Sequence, residues 1–269
     1  MTGWIDLGGR VAAVTGAGAG IGEGIALALA EVGATIVLLD RDEAMAGRVA
    51  ADIEAKGGRA VPIHCDVSNP ASVAAARDRC AQSVGGCDVL VNNAGFHAPG
   101  GLADLPLDDW NGLMTVNLTG CFNCAQVFGA AMLARGKGSI IHIASVSGHA
   151  PQPFSSAYSV SKAGVLMLSR QLAVEWGPHG VRSNVVSPGL IRTPMTEPTY
   201  TAEGVLERRE AAVPMRRVGR PGDIGNAVVF LASDRADYVN GGEIVVDGGF
   251  TQTIMGTVPR PGFGEEPPA

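Results

Sequence analysis

The chain has 269 residues, 46% apolar and 17% charged, and a net charge of −6 at pH 7. That composition supplies the core of one large domain and excludes disorder over most of the length. No block of Lys and Arg is present, which argues against nucleic acid or an anionic membrane surface as partner.

Seven apolar runs read as strands: 11–15, 35–40, 60–65, 88–92, 139–144, 182–187 and 243–247. Most are continuous rather than alternating, as in strands buried on both faces of a parallel sheet. Helical spacing fills the gaps, over 21–32, 43–56, 70–84, 107–134, 157–176 and 221–233. Pro70 and Pro221 suit first helical turns. The alternation predicts an α/β fold: one doubly wound, Rossmann-type domain over residues 1–255, with about seven parallel strands and helices on both faces. From 256 to 269 the composition shifts to Pro and Gly and reads as an irregular tail.

The first strand ends in Thr15-Gly16-Ala17-Gly18-Ala19-Gly20-Ile21-Gly22, and a helix follows at once. Glycines there let backbone N–H groups approach a pyrophosphate at the helix N-terminus. Asp40 closes the second strand, where a carboxylate accepts hydrogen bonds from ribose hydroxyls and repels a 2′-phosphate. The expected cofactor is therefore NAD, although Arg41 at the next position is able to hold such a phosphate.

Gly16, Gly20 and Gly22 follow TGxxxGxG, and Asn92-Asn93-Ala94-Gly95 closes the fourth strand. With these motifs the sequence resembles the classical short-chain dehydrogenase/reductase family, from about Leu7 to Phe250. The resemblance implies that Asn93, Ala94 and Gly95 shape the floor beneath the cofactor and that Asp66 and Val67 meet the adenine. Asp66 is also able to serve simply as a strand-end cap.

Tyr158 and Lys162 are four apart, so on a helix they share a face. A free tyrosine holds its proton too tightly to exchange readily near neutrality, and a neighbouring ammonium favours the phenolate. Ser145 stands 13 positions before Tyr158, at a strand end, and Asn117 lies inside an apolar helix. The resemblance makes Asn117, Ser145, Tyr158 and Lys162 the catalytic group. In it Tyr158 is general acid–base, Ser145 orients the substrate oxygen, and Asn117 holds a water linking the lysine to solvent. Lys162 also bonds the nicotinamide ribose. Pro188, Gly189, Ile191 and Thr193 follow the sixth strand and are expected at the nicotinamide end. Thr193 is also placed to cap a local helix.

A variable lid is expected over 190–218. Phe96, His97, Ser147, His149, Phe154, Leu190, Met195 and Tyr200 are the candidate substrate pocket. The lid arginines read first as exposed helix charges. The expected reaction interconverts a secondary alcohol and a ketone, with sugars and hydroxysteroids both open as substrates. Two other readings stay open. An NADPH-dependent oxoacyl-carrier-protein reductase wants basic residues at 17–19 and no acid at 40. A non-catalytic NAD-binding sensor would tolerate loss of Tyr158 or Lys162.

Cys121 and Cys124 form a CxxC pair without a second pair to complete a zinc site, so all five cysteines read as free core thiols, and no metal is expected. His64 and His142 sit in strand-like runs and read as structural. No apolar run reaches the roughly 18 residues of a membrane span, and no signal peptide is visible at Met1–Gly9. The expected location is the cytoplasm. The resemblance implies a homotetramer built on helices 107–134 and 157–176. Ala125, Ala130, Ala131, Val165, Leu168 and Leu172 read as apolar surplus for that contact. The tail is expected to dock on a neighbour through Ile254, Met255, Val258 and Phe263.

Overall fold

The computed structural model describes residues 4–258. Seven strands, β1 (Val11–Thr15), β2 (Thr35–Asp40), β3 (Arg59–His64), β4 (Val89–Asn92), β5 (Gly138–Ile143), β6 (Val181–Pro188) and β7 (Glu243–Val246), form one sheet. Their order is β3-β2-β1-β4-β5-β6-β7, and every pairing is parallel. The strand order reverses between β1 and β4. Loops leaving those two strands part in opposite directions, which opens a crevice at their carboxyl ends.

Successive side chains of a strand face opposite sides of the sheet, and each side has its own core. Val14, Ile36 and Leu38 pack with Ile25 and Leu29 of α1 (Gly20–Glu31), Val49 of α2 (Glu43–Ala55) and Val228 of α7 (Pro221–Ala232). Ala13, Val37 and Leu39 pack on the other side with Val73 of α3 (Pro70–Val84), Phe128 and Met132 of α5 (Gly120–Arg135) and Leu172 of α6 (Tyr158–Trp176). Asn69 caps α3 by accepting from Ala71 and Ser72, with Pro70 in the first turn as its sequence position required.

Four expectations are corrected. The helix over 107–134 is not regular: α4 (Leu107–Met114) passes into a π-helical segment, Thr115–Thr119, before α5 begins. The whole run Leu107–Arg135 is long and apolar enough, by length and composition, to cross a membrane, although half of its most apolar stretch is buried inside the fold. Scattered polar residues such as Asn117 and Asn123 hid that length from a search for unbroken apolar runs. His64 is exposed at the end of edge strand β3 rather than enclosed, whereas His142 is fully buried. Finally, Ala125, Val165 and Leu172 are spent on the chain's own core. The large apolar side chains left exposed on these helices are Leu107, Phe122, Val160, Met167 and Val174, and Ala130 is exposed as well.

All five thiols are free and buried. Among the described residues no group of three His, Cys, Asp or Glu side chains is placed to hold a metal. Ile254–Thr257 forms a 3-10 turn, and Ile254, Met255 and Val258 are exposed. Phe263 and the rest of the tail lie outside the described residues.

Candidate active site

The crevice begins at the glycine loop. Gly16 and Gly20 take positive φ, and a Cβ on Gly22 would collide with the Gly16 carbonyl oxygen, so the strand-to-helix turn closes only with glycine. Ala19 precedes α1 in extended conformation and no side chain caps the helix. The first-turn N–H groups are thus available to an anion, as a pyrophosphate requires. Asp40 Oδ2 accepts the Gly18 N–H at 2.9 Å, and Oδ1 accepts that of Asp42 at 3.0 Å. Arg48 of α2 donates to the Gly18 carbonyl oxygen at 3.1 Å while pairing with both oxygens of Glu23. Arg41 is exposed nearby. A dinucleotide therefore fits here: an uncapped helix end for phosphates and a carboxylate beside the loop.

The β4 loop braces this turn. Thr15 Oγ1 accepts from the backbone N–H groups of Asn93 and Ala94, both at 3.0 Å. Asn93 Nδ2 donates to the carbonyl oxygens of Thr15 and Gly16 at 2.9 and 3.1 Å. Asp66, after β3, accepts from the hydroxyl and amide of Ser68. Those bonds hold its carboxyl below the usual aspartate range. Val67 is buried, and its carbonyl oxygen accepts from Asn123.

The π segment turns Asn117 toward the next stretch of the β4 loop. Its side chain accepts from the Phe96 N–H at 3.0 Å and donates to the Phe96 carbonyl oxygen at 2.9 Å. The amide is committed to shaping this loop. Gly95 passes so close that a Cβ there would lie 3.1 Å from Asn117 Oδ1 and 3.6 Å from Lys162 Nζ.

Strand β5 delivers Ser145, whose Oγ accepts the Ser147 N–H at 3.1 Å. Lys162 is buried in α6 and donates from Nζ to the Ile143 carbonyl oxygen at 2.9 Å. The same Nζ lies 5.7 Å from the centroid of the Tyr158 ring. Tyr158 is half-buried at the start of α6, and the His97 ring meets it edge-on, centroids 5.1 Å apart. The fold thus brings Asn117, Lys162 and Tyr158 to the loop carrying Gly95, Phe96 and His97, and Ser145 leaves the strand whose Ile143 carbonyl oxygen holds Lys162.

Beyond β6, Gly189 packs on Asp247, and Ile191 is buried. Thr193 sits against the glycine loop, within 3.5 Å of the point a Cβ on Gly20 would occupy. It also forms a local turn, its hydroxyl 3.1 Å from that of Thr196. Both readings of this threonine are therefore compatible with its position.

The candidate pocket residues divide. Leu190 is half-buried, and Phe96, His97, Phe154 and Met195 are exposed around the opening. Ser147 is buried beneath Ser145. Tyr200 is buried too, with the guanidinium groups of Arg192 and Arg209 over its ring. His149 turns away to Glu243 of β7, with Nε2 2.7 Å from the carboxylate. Most lid arginines have partners: Arg192 pairs with Glu197, Arg217 with Asp223, and Arg216 donates to the Ala211 carbonyl oxygen. Gly100 and Ser155 pair as a β-bridge, which ties the β4 loop to the segment before α6.

Three participants carried no sequence signal. Arg48 reaches Gly18 from a helix face that spacing does not orient. Glu243 ties His149 to Ser187 across β6. Asp247 organises the turn after β7 by accepting from Gly249 and Thr251.

Comparisons with known proteins agree with this layout. Residues 16–251 match a family model described as enoyl-(acyl carrier protein) reductase. The 2,5-dichloro-2,5-cyclohexadiene-1,4-diol dehydrogenase of Sphingobium indicum is 37% identical over 91% of this chain and 97% of its own. The galactitol 2-dehydrogenase of Rhizobium johnstonii is 40% identical over 91% and 96%. Among solved structures, the gluconate 5-dehydrogenase of Burkholderia cenocepacia, in complex with NADP and tartrate, superposes with a TM-score of 0.88. It is 38% identical over 93% of this chain and 98% of its own. The chain belongs to the short-chain dehydrogenase/reductase family, of classical type.

Proposed function

We propose that the protein is an NAD-dependent oxidoreductase that interconverts a secondary alcohol and a ketone, with Tyr158 as general acid–base. The observation that carries this reading is the placement of Lys162. Its ammonium is pinned to the Ile143 carbonyl oxygen, on the strand that delivers Ser145, and lies beside the Tyr158 ring. The dehydrogenase names of the relatives support the class of reaction.

In the oxidative direction the alcohol oxygen lies between Ser145 Oγ and Tyr158 Oη. Ser145 fixes that oxygen by hydrogen bonding. Tyr158 Oη takes the hydroxyl proton, and the nearby ammonium stabilises charge on the phenol oxygen. A bound nicotinamide supplies the hydride acceptor or donor. Gly16, Gly18, Gly20, Ile21 and Gly22 would hold the phosphates, and Asp40 the adenosine ribose, with Arg41 at its edge. Asp66 and Val67 would face the adenine. Asn93, Ala94 and Gly95 would form the floor, with Pro188, Gly189, Ile191 and Thr193 at the nicotinamide end. Lys162 has N–H groups left for the nicotinamide ribose, and Asn117 holds the floor loop in place. NAD is favoured over NADP because Asp40 puts a negative charge where a 2′-phosphate would sit. Residues 190–218 would act as the lid.

We infer a homotetramer in the cytoplasm. Val160, Met167 and Val174 are spaced by seven along one exposed face of α6, which gives two helices from different copies an apolar seam. Five unbridged thiols suit a reducing compartment.

The test is reduction of NAD and of NADP by a panel of secondary alcohols, followed by absorbance, in wild type and Tyr158→Phe. Turnover with NAD that the variant loses is the expected result. Faster turnover with NADP would overturn the cofactor assignment, and more than a tenth of wild-type kcat in the variant would overturn the role of Tyr158.

A further inference from the structure

His97 owes its place to a neighbour. The Phe96 backbone just before it is gripped on both sides by the buried Asn117 amide, at 3.0 and 2.9 Å. That grip carries the imidazole to the Tyr158 ring, with centroids 5.1 Å apart and planes at 79°. Among the described residues neither ring nitrogen of His97 has a hydrogen-bond partner. A pre-positioned imidazole with both nitrogens unspent, touching the candidate acid–base, has the form of a recognition group.

The other side chains exposed around the opening leave this role to His97, and Ser147 is buried with its N–H on Ser145 Oγ. His149 is held by Glu243, Tyr200 is buried between two guanidinium groups, and Phe96, Phe154 and Met195 are apolar. The outer edge of His97 stays in solvent, while its inner part loses enough water against Tyr158 to lower its proton affinity below the ordinary value. A neutral imidazole carries one donor and one acceptor, the pair that matches a hydroxyl. It offers no fixed cation for a carboxylate. Arg192 and Arg217 of the lid are already paired with acids of their own.

We propose that His97 is a specificity-determining residue: its imidazole binds a hydroxyl on the carbon next to the one that reacts at Tyr158. The substrate class is then a vicinal diol or polyol rather than an isolated secondary alcohol. Two hydroxyls separated by one C–C bond span two side chains in direct contact. This proposal rests on the assignment of Tyr158 as general acid–base.

The experiment compares 2,3-butanediol, as a mixture of stereoisomers, with 2-butanol as substrates of the full chain. Wild type, His97→Phe and His97→Asn are each first shown by fluorescence titration to bind NAD. Phe keeps the ring contact and loses the hydrogen bond, whereas Asn keeps a donor and an acceptor. Wild type is expected to prefer the diol in kcat/KM. His97→Phe should lower that preference about tenfold, the worth of one hydrogen bond, mainly through KM for the diol. His97→Asn should retain part of it. Equal losses on both alcohols, or an unchanged ratio in His97→Phe, would overturn the assignment of His97 alone. Turnover of neither alcohol by wild type would overturn the dehydrogenase reading and this one together.

Discussion

The guanidinium of Arg48 hydrogen-bonds the carbonyl oxygen of Gly18 at 3.1 Å, while Asp40 accepts the Gly18 N–H at 2.9 Å. The glycine loop is thus held from α2 and from the end of β2 at a single residue. The Glu23 carboxylate orients Arg48 through two bonds, at 3.1 and 2.9 Å. Arg48→Met should let the loop drift and weaken NAD binding about fivefold, the worth of one partly exposed hydrogen bond. Fluorescence titration of the cofactor measures this. The expected pattern is a raised KM for NAD with kcat nearly unchanged, because the loop lies away from Tyr158.

Tyr158→Phe removes one hydroxyl and leaves the ring packing against His97. Loss of a general acid–base costs about 10²–10⁴ in rate. The expected result is NAD binding as in wild type and kcat at or below a hundredth. A variant with more than a tenth of wild-type kcat would end the general-base assignment.

Asp40→Ala removes both the proposed barrier to a 2′-phosphate and an anchor of the Gly18 amide. The ratio of kcat/KM for NADP over NAD should rise about tenfold, or about 1.4 kcal/mol. Arg41 would then face the phosphate with no carboxylate beside it. A ratio unchanged by the substitution would mean that selectivity resides elsewhere in the crevice.

His142 is fully buried on β5, and its Nδ1 lies 3.2 Å from Asn92 Nδ2. Burial first, and the Lys162 ammonium second, depress its pKa from 6.5 to about 3. The native state therefore refuses a proton that the unfolded chain accepts. Stability from this residue is fully present above about pH 6.5 and is lost as pH falls from there toward 3. Urea unfolding of wild type should lose on the order of 3 kcal/mol more between pH 7 and pH 4 than that of His142→Gln. Parallel pH dependences in the two proteins would contradict the neutral, buried imidazole.

Met167→Glu places a charge in the exposed seam of Val160, Met167 and Val174. Light scattering should show the proposed tetramer reduced to smaller species. A wild type that is monomeric, or a variant of unchanged mass, would remove α6 from the interface.

Sequence carries the fold through signals that are local. Most β-strands are continuous apolar runs beside a glycine or a cap, and the TGxxxGxG turn announces where the strand order will reverse. Ser145, Tyr158 and Lys162 are readable because their spacing is fixed by one strand end and one helical turn. Arg48 and Gly18 lie 30 positions apart, and His149 and Glu243 lie 94 apart. Their contacts depend on how α2 and β7 dock, which no periodicity records. The apolar face of α6 was legible, but its division was not. Val165 and Leu172 serve the chain's own core and Met167 does not, and the same spacing suits either use. The π segment stayed hidden because five residues are too few to separate one helical period from another.

That π segment changes the phase of the helix that contains it. Thr115–Thr119 amounts to one residue inserted into a regular α-helix, with the Gly120 N–H reaching back to the Thr115 carbonyl oxygen. Each α-helical residue turns the axis by about 100°, so α4 and α5 bury their inner faces in two different phases. Leu113 points inward before the segment, and Cys121, Cys124 and Phe128 point inward after it. Asn117 stands at the phase change and grips Phe96 from there. Apart from Asn117 and the other enclosed positions, the stretch is therefore more tolerant in identity than in length. A substitution at exposed Thr119 leaves the phase alone. Deleting any one residue between 115 and 119 would rotate Leu113 out of its packing or swing the Asn117 amide off the loop that carries His97.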